Sequence, residues 1–123
     1  MKRSCCISFL MLLLTLSVSA GCRVEERKLP CRLLKGFSDW DYSIFLPESY
    51  DRDSGRKYPV LYLLHGGGCS HTQWEEHGHL TALIDELVGN GDMEEMVIVC
   101  PEANKHRMSW MNDDVWTYED FFF

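Results

Sequence analysis

The chain is short of basic residues, of long apolar runs and of paired cysteines, and each shortage removes a class of function. Lys and Arg number 12 against 19 Asp and Glu, a formal net charge of −7. Every acidic residue lies beyond Ala20, so the remainder holds 10 basic against 19 acidic residues, a net −9. A surface that acidic repels polyanions, so nucleic acid is not expected as a partner. The longest apolar stretch falls below the roughly 20 residues that a membrane-spanning helix needs. No Cys-x-x-Cys occurs, which removes the simplest redox and zinc-ribbon signatures. No internal repeat or low-complexity stretch is present. What remains, 123 residues at 46% hydrophobic and 25% charged, suits one small globular domain.

The N-terminus has the three-part layout of an export signal. Lys2 and Arg3 precede an apolar stretch over 5–16, broken by Ser8 and Thr15, and small residues follow. Val18-Ser19-Ala20 fits a small-x-small cleavage site. Ser19-Ala20-Gly21-Cys22 also resembles a bacterial lipobox, with Ser19 where leucine is usual. Plain secretion and acylation at Cys22 both stay open, and acylation would anchor a soluble domain to a membrane surface. The expected division is a signal over 1–21, a tether and first strand region over 22–37, and a domain over 38–123. Cys5 and Cys6 leave with the signal. Cys100 reads as a small buried hydrophobe. A Cys31–Cys69 disulfide stays open in an oxidising compartment.

Residues 23–30 are charged, end in Pro30 and read as a tether. Over 41–46 the residues Tyr42, Ile44 and Leu46 alternate with Asp41, Ser43 and Phe45, the period of a strand. A polar turn over 51–57 lets the next strand fold back as a hairpin. Residues 58–64 are continuously apolar, which predicts a strand covered on both faces. Leu80, Leu83, Ile84, Leu87 and Val88 fall at helical spacing, and Gly89-Asn90-Gly91 closes that helix. Residues 96–100 predict a second buried strand, ended by Pro101. Residues 104–112 read as loop, and 115–123 begin a helix with Asp113 or Asp114 as its N-cap. Buried strands alternating with a helix predict an α/β fold with a parallel sheet.

The segment with the most chemistry is Leu63-Leu64-His65-Gly66-Gly67-Gly68-Cys69-Ser70, followed by Trp74. A buried strand running into glycines leaves backbone N–H groups at its end, and glycine lets that backbone approach a ligand. Such N–H groups can hold the negative oxygen of a tetrahedral intermediate. A tight strand-to-helix turn without a ligand accounts for the same residues.

Tyr58-Pro59-Val60-Leu61-Tyr62-Leu63-Leu64-His65-Gly66-Gly67-Gly68, Trp74, Val97-Ile98-Val99-Cys100-Pro101-Glu102 and Ser109-Trp110 resemble, in this order, the esterase family of α/β hydrolases. That family includes esterase D-like, feruloyl and acetyl-xylan esterases. The entry Tyr42-Ser43-Ile44-Phe45-Leu46-Pro47 with Tyr50 is similar too, and the resemblance covers 38–123. It implies the N-terminal part of an α/β-hydrolase fold, ending before the nucleophile strand, and an exported hydrolase of carboxylic esters carried by small molecules or polysaccharides. It implies an oxyanion loop at Gly66, Gly67 and Gly68, with the Gly67 N–H as donor, substrate contacts from Trp74 and Trp110, and no cofactor.

The resemblance also implies a Ser-His-Asp/Glu triad, and the chain contains no Gly-x-Ser-x-Gly. Ser70 and Ser109 are the best remaining serines, and neither has glycines at that spacing. The family order puts acid and base after the nucleophile, so no histidine here fills the base position, and His65 reads as structural. The chain is therefore expected to be an inactive N-terminal fragment, with Phe121-Phe122-Phe123 lying inside an interrupted helix. With no nucleophile strand beside it, the strand over 58–64 is expected to present an open apolar edge. Two rival readings remain. Cys69, His71, His77 and His79 have zinc-binding chemistry at no familiar spacing. Trp74, Trp110, Trp116 and Tyr118 could form a carbohydrate platform, or pack in the core.

Overall fold

The computed structural model describes residues 21–32, 37–103, 110–112, 114 and 117–122, the last two by backbone alone. The elements run β1 (Arg23–Pro30), β2 (Asp39–Leu46), β3 (Val60–Tyr62), α1 (Gln73–Glu76), α2 (Leu80–Gly89), β4 (Val97–Pro101) and α3 (Tyr118–Phe122). They form one mixed sheet of order β1-β2-β4-β3. β1 and β4 flank β2 antiparallel, and β3 runs parallel to β4.

The alternation of β2 is what builds two faces. Phe45 joins Ile98 and Cys100 beneath Leu80 and Ile84 of α2, with Leu63, Trp74 and Val88 packed against them. Ile44 and Leu46 join Val97 on the opposite face, with Tyr42, Tyr58 and Val99 beside them. Among the described residues no helical side chain enters that second cluster. A third cluster of Cys31, Trp40, Ala103 and Tyr118 lies where the chain leaves β4.

Three expectations are corrected. The segment 23–30 is an eight-residue strand and not a tether, registered from Arg23 opposite Leu46 to Pro30 opposite Asp39. Its charges conceal it: Arg23 and Arg27 both bind Glu25, and Lys28 binds Asp39 and Asp41, so the polar groups pair along the strand surface. The hairpin between the strands over 41–46 and 58–64 does not form. Both sides of β2 are taken by β1 and β4, so β3 pairs with β4 after a helical crossover. The strand over 58–64 is also not covered on both faces, and it presents the open apolar edge that was expected instead. β3 is the sheet edge, and Val60, Leu61 and Tyr62 are 53%, 40% and 52% exposed.

The helix over 80–89 forms as its period dictates, but Leu83 stands 46% exposed and the apolar stripe is Leu80, Ile84, Leu87 and Val88. Its N-terminus is satisfied from α1, because the Glu75 carboxylate accepts from the Thr81 N–H at 2.9 Å and the Thr81 hydroxyl at 2.8 Å. Its C-terminus is a Schellman motif: Asp92 N–H donates to Leu87 O, Gly91 N–H to Val88 O, and Gly91 takes φ +78°. α3 starts at Tyr118, later than expected, and Asp113 lies outside the described residues. Asn112 does the capping, its Oδ1 accepting from the Glu119 and Asp120 N–H groups at 2.9 and 3.4 Å.

The Cys31–Cys69 disulfide is not formed, and Cys22, Cys31, Cys69 and Cys100 are free thiols. Cys31 is spent in the cluster with Trp40 and Tyr118. Cys100 is fully buried, and desolvation pushes its thiol up to about 12. No described helix is long and apolar enough to cross a membrane.

Candidate active site

The ladder between β3 and β4 runs one residue past β3, where Leu63 N–H donates to Val99 O at 2.9 Å, and the chain then turns away at His65. His65 is buried and acts as a bolt. Its Nε2 accepts from the Ala103 N–H at 3.0 Å, and its Nδ1 lies 2.9 Å from Gly66 O. Nε2 is thus an acceptor, which puts the ring proton on Nδ1 and makes Gly66 O its acceptor. The buried Glu102 carboxylate, 3.4 Å from Nε2, faces a neutral imidazole, so this contact is not an ion pair. Trp110 packs its ring on His65 at 4.8 Å and donates Nε1–H to His65 O at 3.1 Å.

The glycines follow from that anchor. Gly66 N–H donates to Gln73 Oε1 at 3.3 Å, and Gly66 O accepts from Cys69 N–H at 3.2 Å. That bond closes a four-residue turn whose third position, Gly68, has φ +82°, as a type II turn requires. Gly67 is the second position. Among the described residues neither the Gly67 nor the Gly68 N–H has a hydrogen-bond partner. A Cβ on Gly66, Gly67 or Gly68 would meet nothing within 4 Å, so the loop faces open space. Beside it lies an open cavity of about 450 Å³, lined in part by Gly68, Cys69, Ser70, Gln73 and the carboxylates of Asp41 and Glu76.

The geometry separates the three glycines. Gly68→Ala places a side chain at positive φ and costs about 1 kcal/mol of stability. Gly67→Ala meets no atom and stays within about 0.5 kcal/mol of the parent. Denaturant titration of the two variants checks the difference, and equal losses would mean that Gly68 does not hold the positive φ of a type II turn.

The other sequence candidates distribute as follows. Ser70 is tied to Thr72, Oγ to Oγ1 at 2.8 Å, and among the described residues its hydroxyl bonds no histidine or carboxylate; Ser109 lies outside the described residues. Ser43 Oγ does contact His71 Nδ1 at 2.9 Å, but Ser43 is 1% exposed inside β2 and no substrate reaches it. Trp74 packs partly buried against the core beneath α2, and its buried Nε1 has no hydrogen-bond partner among the described residues. Trp110 supports His65 and packs on the Trp40–Tyr118 cluster. Tyr118 is fully buried and Trp116 lies outside the described residues, so no aromatic platform is assembled from Trp74, Trp110 and Tyr118. Among the described residues no three His, Cys, Asp or Glu side chains converge to hold a metal ion. Gln73, Glu102 and the Ala103 N–H were not singled out as supports of the loop. Glu102 stands in the matched Cys100-Pro101-Glu102 segment, whereas nothing at the spacing of Gln73 announces its role.

A turn of this kind, at the carboxyl end of a parallel strand, coincides with a family-wide sequence match. The pattern of the family described as "Putative esterase" matches residues 38–120. The chain belongs to this esterase family. Its strands and helices are the N-terminal part of an α/β-hydrolase fold. Over 82 residues, 64% of the chain, this esterase-family member is 27% identical to an endo-1,4-beta-xylanase/feruloyl esterase of Xylanibacter ruminicola. A solved ferulic acid esterase is 36% identical and superposes over 84% of the chain with a TM-score of 0.77. A ferulic acid esterase of Anaeromyces mucronatus, solved in complex with ferulic acid, is 22% identical over 76% of the chain at a TM-score of 0.60 and shares the fold. The chain spans 11%, 39% and 34% of these three proteins respectively.

Proposed function

We propose that this chain carries the oxyanion-hole part of an exported serine-type carboxylic ester hydrolase acting on hydroxycinnamoyl esters of a polysaccharide. The observation that carries the reading is the Gly67 N–H, which has no hydrogen-bond partner among the described residues and sits in a glycine turn facing open space just beyond β3. In ester cleavage the carbonyl oxygen gains negative charge as the tetrahedral intermediate forms. A donor already held in place stabilises that charge without reorganising, and one such donor is worth about 10²–10³ in rate. Gln73 and Cys69 tie the two sides of Gly66, and His65 bolts the turn to the end of β4, so Gly67 is fixed by its neighbours. The substrate class follows the relatives, one named as a feruloyl esterase and one solved with ferulic acid. Export follows the N-terminal layout of Lys2, Arg3 and the apolar stretch.

The second oxyanion donor would follow the nucleophile in a Gly-x-Ser-x-Gly elbow, which this sequence does not contain. The 123 residues alone are therefore inert toward esters, and activity belongs to a longer chain that adds serine, acid and base. Hydrolysis of methyl ferulate by purified protein, compared with buffer, tests this. No rate above background is expected, and a serine-dependent turnover would overturn the reading. Coding sequence beyond the Phe123 codon gives the complementary test, since an esterase requires a strand and Gly-x-Ser-x-Gly there in one frame.

A further inference from the structure

The open cavity beside the glycine turn has a chemistry that separates the two halves of an ester. Gly68, Ser70 and Gln73 line it together with three carboxylates, Asp41, Glu76 and Glu102, and among the described residues no Lys or Arg joins them. At about 450 Å³ it falls within the range of small-molecule sites, about 300–1,000 Å³. At about 30 Å³ per water that is room for roughly fifteen waters, enough for a sugar ring.

The fold sets these groups side by side. Glu102 is buried, its Oε2 accepts from His71 N–H at 3.2 Å, and its own N–H donates to Asp41 O at 3.2 Å. Asp41 is tied to Lys28 Nζ at 2.7 Å. Glu76, at the end of α1, is exposed. Gln73 gives its Oε1 to the Gly66 N–H, and among the described residues its Nε2 has no partner. A sugar hydroxyl both donates and accepts, so it can donate to the carboxylates in strong charge-assisted bonds and accept from Gln73 Nε2. An aromatic acyl group placed here would take water off three carboxylates and return no donor. An anionic group would meet like charges.

We infer that this cavity holds the alcohol side of the ester, a neutral sugar of the polysaccharide, and that the acyl group lies outside it. The inference rests on the reading of Gly67 as oxyanion donor, since Gly68, the next residue, is part of the cavity wall. Cys69 also lines the cavity and is half-buried, so its alkylation by iodoacetamide, followed by peptide mass, tests occupancy. Xylotriose at about four times its dissociation constant is expected to slow Cys69 about fivefold. Cys22, which packs beneath α2 outside this cavity, keeps its rate. Methyl ferulate and glucuronate give Cys69 no protection. Glu76→Gln, at an exposed position that leaves the fold intact, raises the xylotriose concentration for half-protection about fivefold through loss of one charge-assisted bond. Absence of protection by xylotriose, protection by methyl ferulate or glucuronate, or an unchanged response in Glu76→Gln overturns the inference. The experiment reads no turnover. Sugar protection without a Gly-x-Ser-x-Gly downstream keeps the subsite and removes the esterase, and turnover by a longer chain without sugar protection does the reverse.

Discussion

Replacing Val60 and Leu64 by lysine is expected to convert a self-associating chain into a monomer, lowering its association constant at least about 100-fold. The two edges of the sheet explain why. The β1 edge is charged: Arg23 and Arg27 flank Glu25 and hold its carboxyl below the usual range, and Lys28 bridges Asp39 and Asp41. Charged edges discourage strand addition by another chain. The β3 edge has no such guard. Residues 58–64 contain no charge, and Val60, Leu61, Tyr62 and Leu64 are each at least 40% exposed. An uncharged, β-prone edge is a template for a second copy. Lysines facing lysines across such a contact cost several kcal/mol, and about 2.8 kcal/mol is already a hundredfold. Both positions are exposed in the folded chain, so its own stability shifts by no more than about 0.5 kcal/mol. Sedimentation velocity of parent and double variant over a wide concentration range measures the effect. A parent that stays monomeric throughout would show that β3 is protected in a way the sheet order does not convey.

The same strand shows what the sequence makes legible. The period of β2, the stripe of α2 and the run of β4 are local, because each is a repeat of side chains against one surface. The glycines after Leu64 are local too, and their place at a strand end follows from chain order. Sheet order is not local. β1 was hidden because Arg23, Glu25, Arg27 and Lys28 satisfy one another, which makes a strand look like a tether. The hairpin failed because a partner from residue 97 onward competes for β2, and nothing in residues 47–59 records that competitor. Exposure of β3 depends on what lies beside it, so its apolar run alone reads as covered, whereas the absence of Gly-x-Ser-x-Gly already pointed to the open edge that the sheet order shows. For the site, the glycines were legible and their supports were not. His65 was expected to be structural, but its partner at Ala103 and the Gln73 contact are products of tertiary packing. Trp74 and Trp110 looked equivalent in sequence, and packing assigns one to the layer under α2 and the other to the back of His65.

Tyr118→Ala should remove cooperative unfolding, and Tyr118→Phe should not. The Tyr118 ring is fully buried and meets Trp40 at 5.7 Å and Trp110 at 5.5 Å, the latter edge-on. Its hydroxyl donates to Glu102 O, which also accepts from Trp40 Nε1–H, so two donors converge on one carbonyl. Burial pushes the phenol up, so the donor is retained across the working pH range. Deleting the ring removes apolar burial and leaves a cavity, together about 3–5 kcal/mol. That approaches the whole stability of many domains, about 5–15 kcal/mol, and a sheet with one face and one edge thinly covered belongs at the low end. Removing the hydroxyl alone costs about 1 kcal/mol, because Glu102 O keeps the Trp40 donor. Trp110 couples this cluster to the site, with one side on Tyr118 and the other on His65, so losing the ring also frees the turn that holds Gly67. Tryptophan fluorescence during urea unfolding separates the outcomes: a shifted but sigmoidal curve for phenylalanine, a broad non-cooperative one for alanine. If alanine gave the phenylalanine result, the Trp40–Tyr118 cluster would not be what pins α3 behind the glycines, and the Gly67 N–H would have to be held by His65 and Gln73 alone.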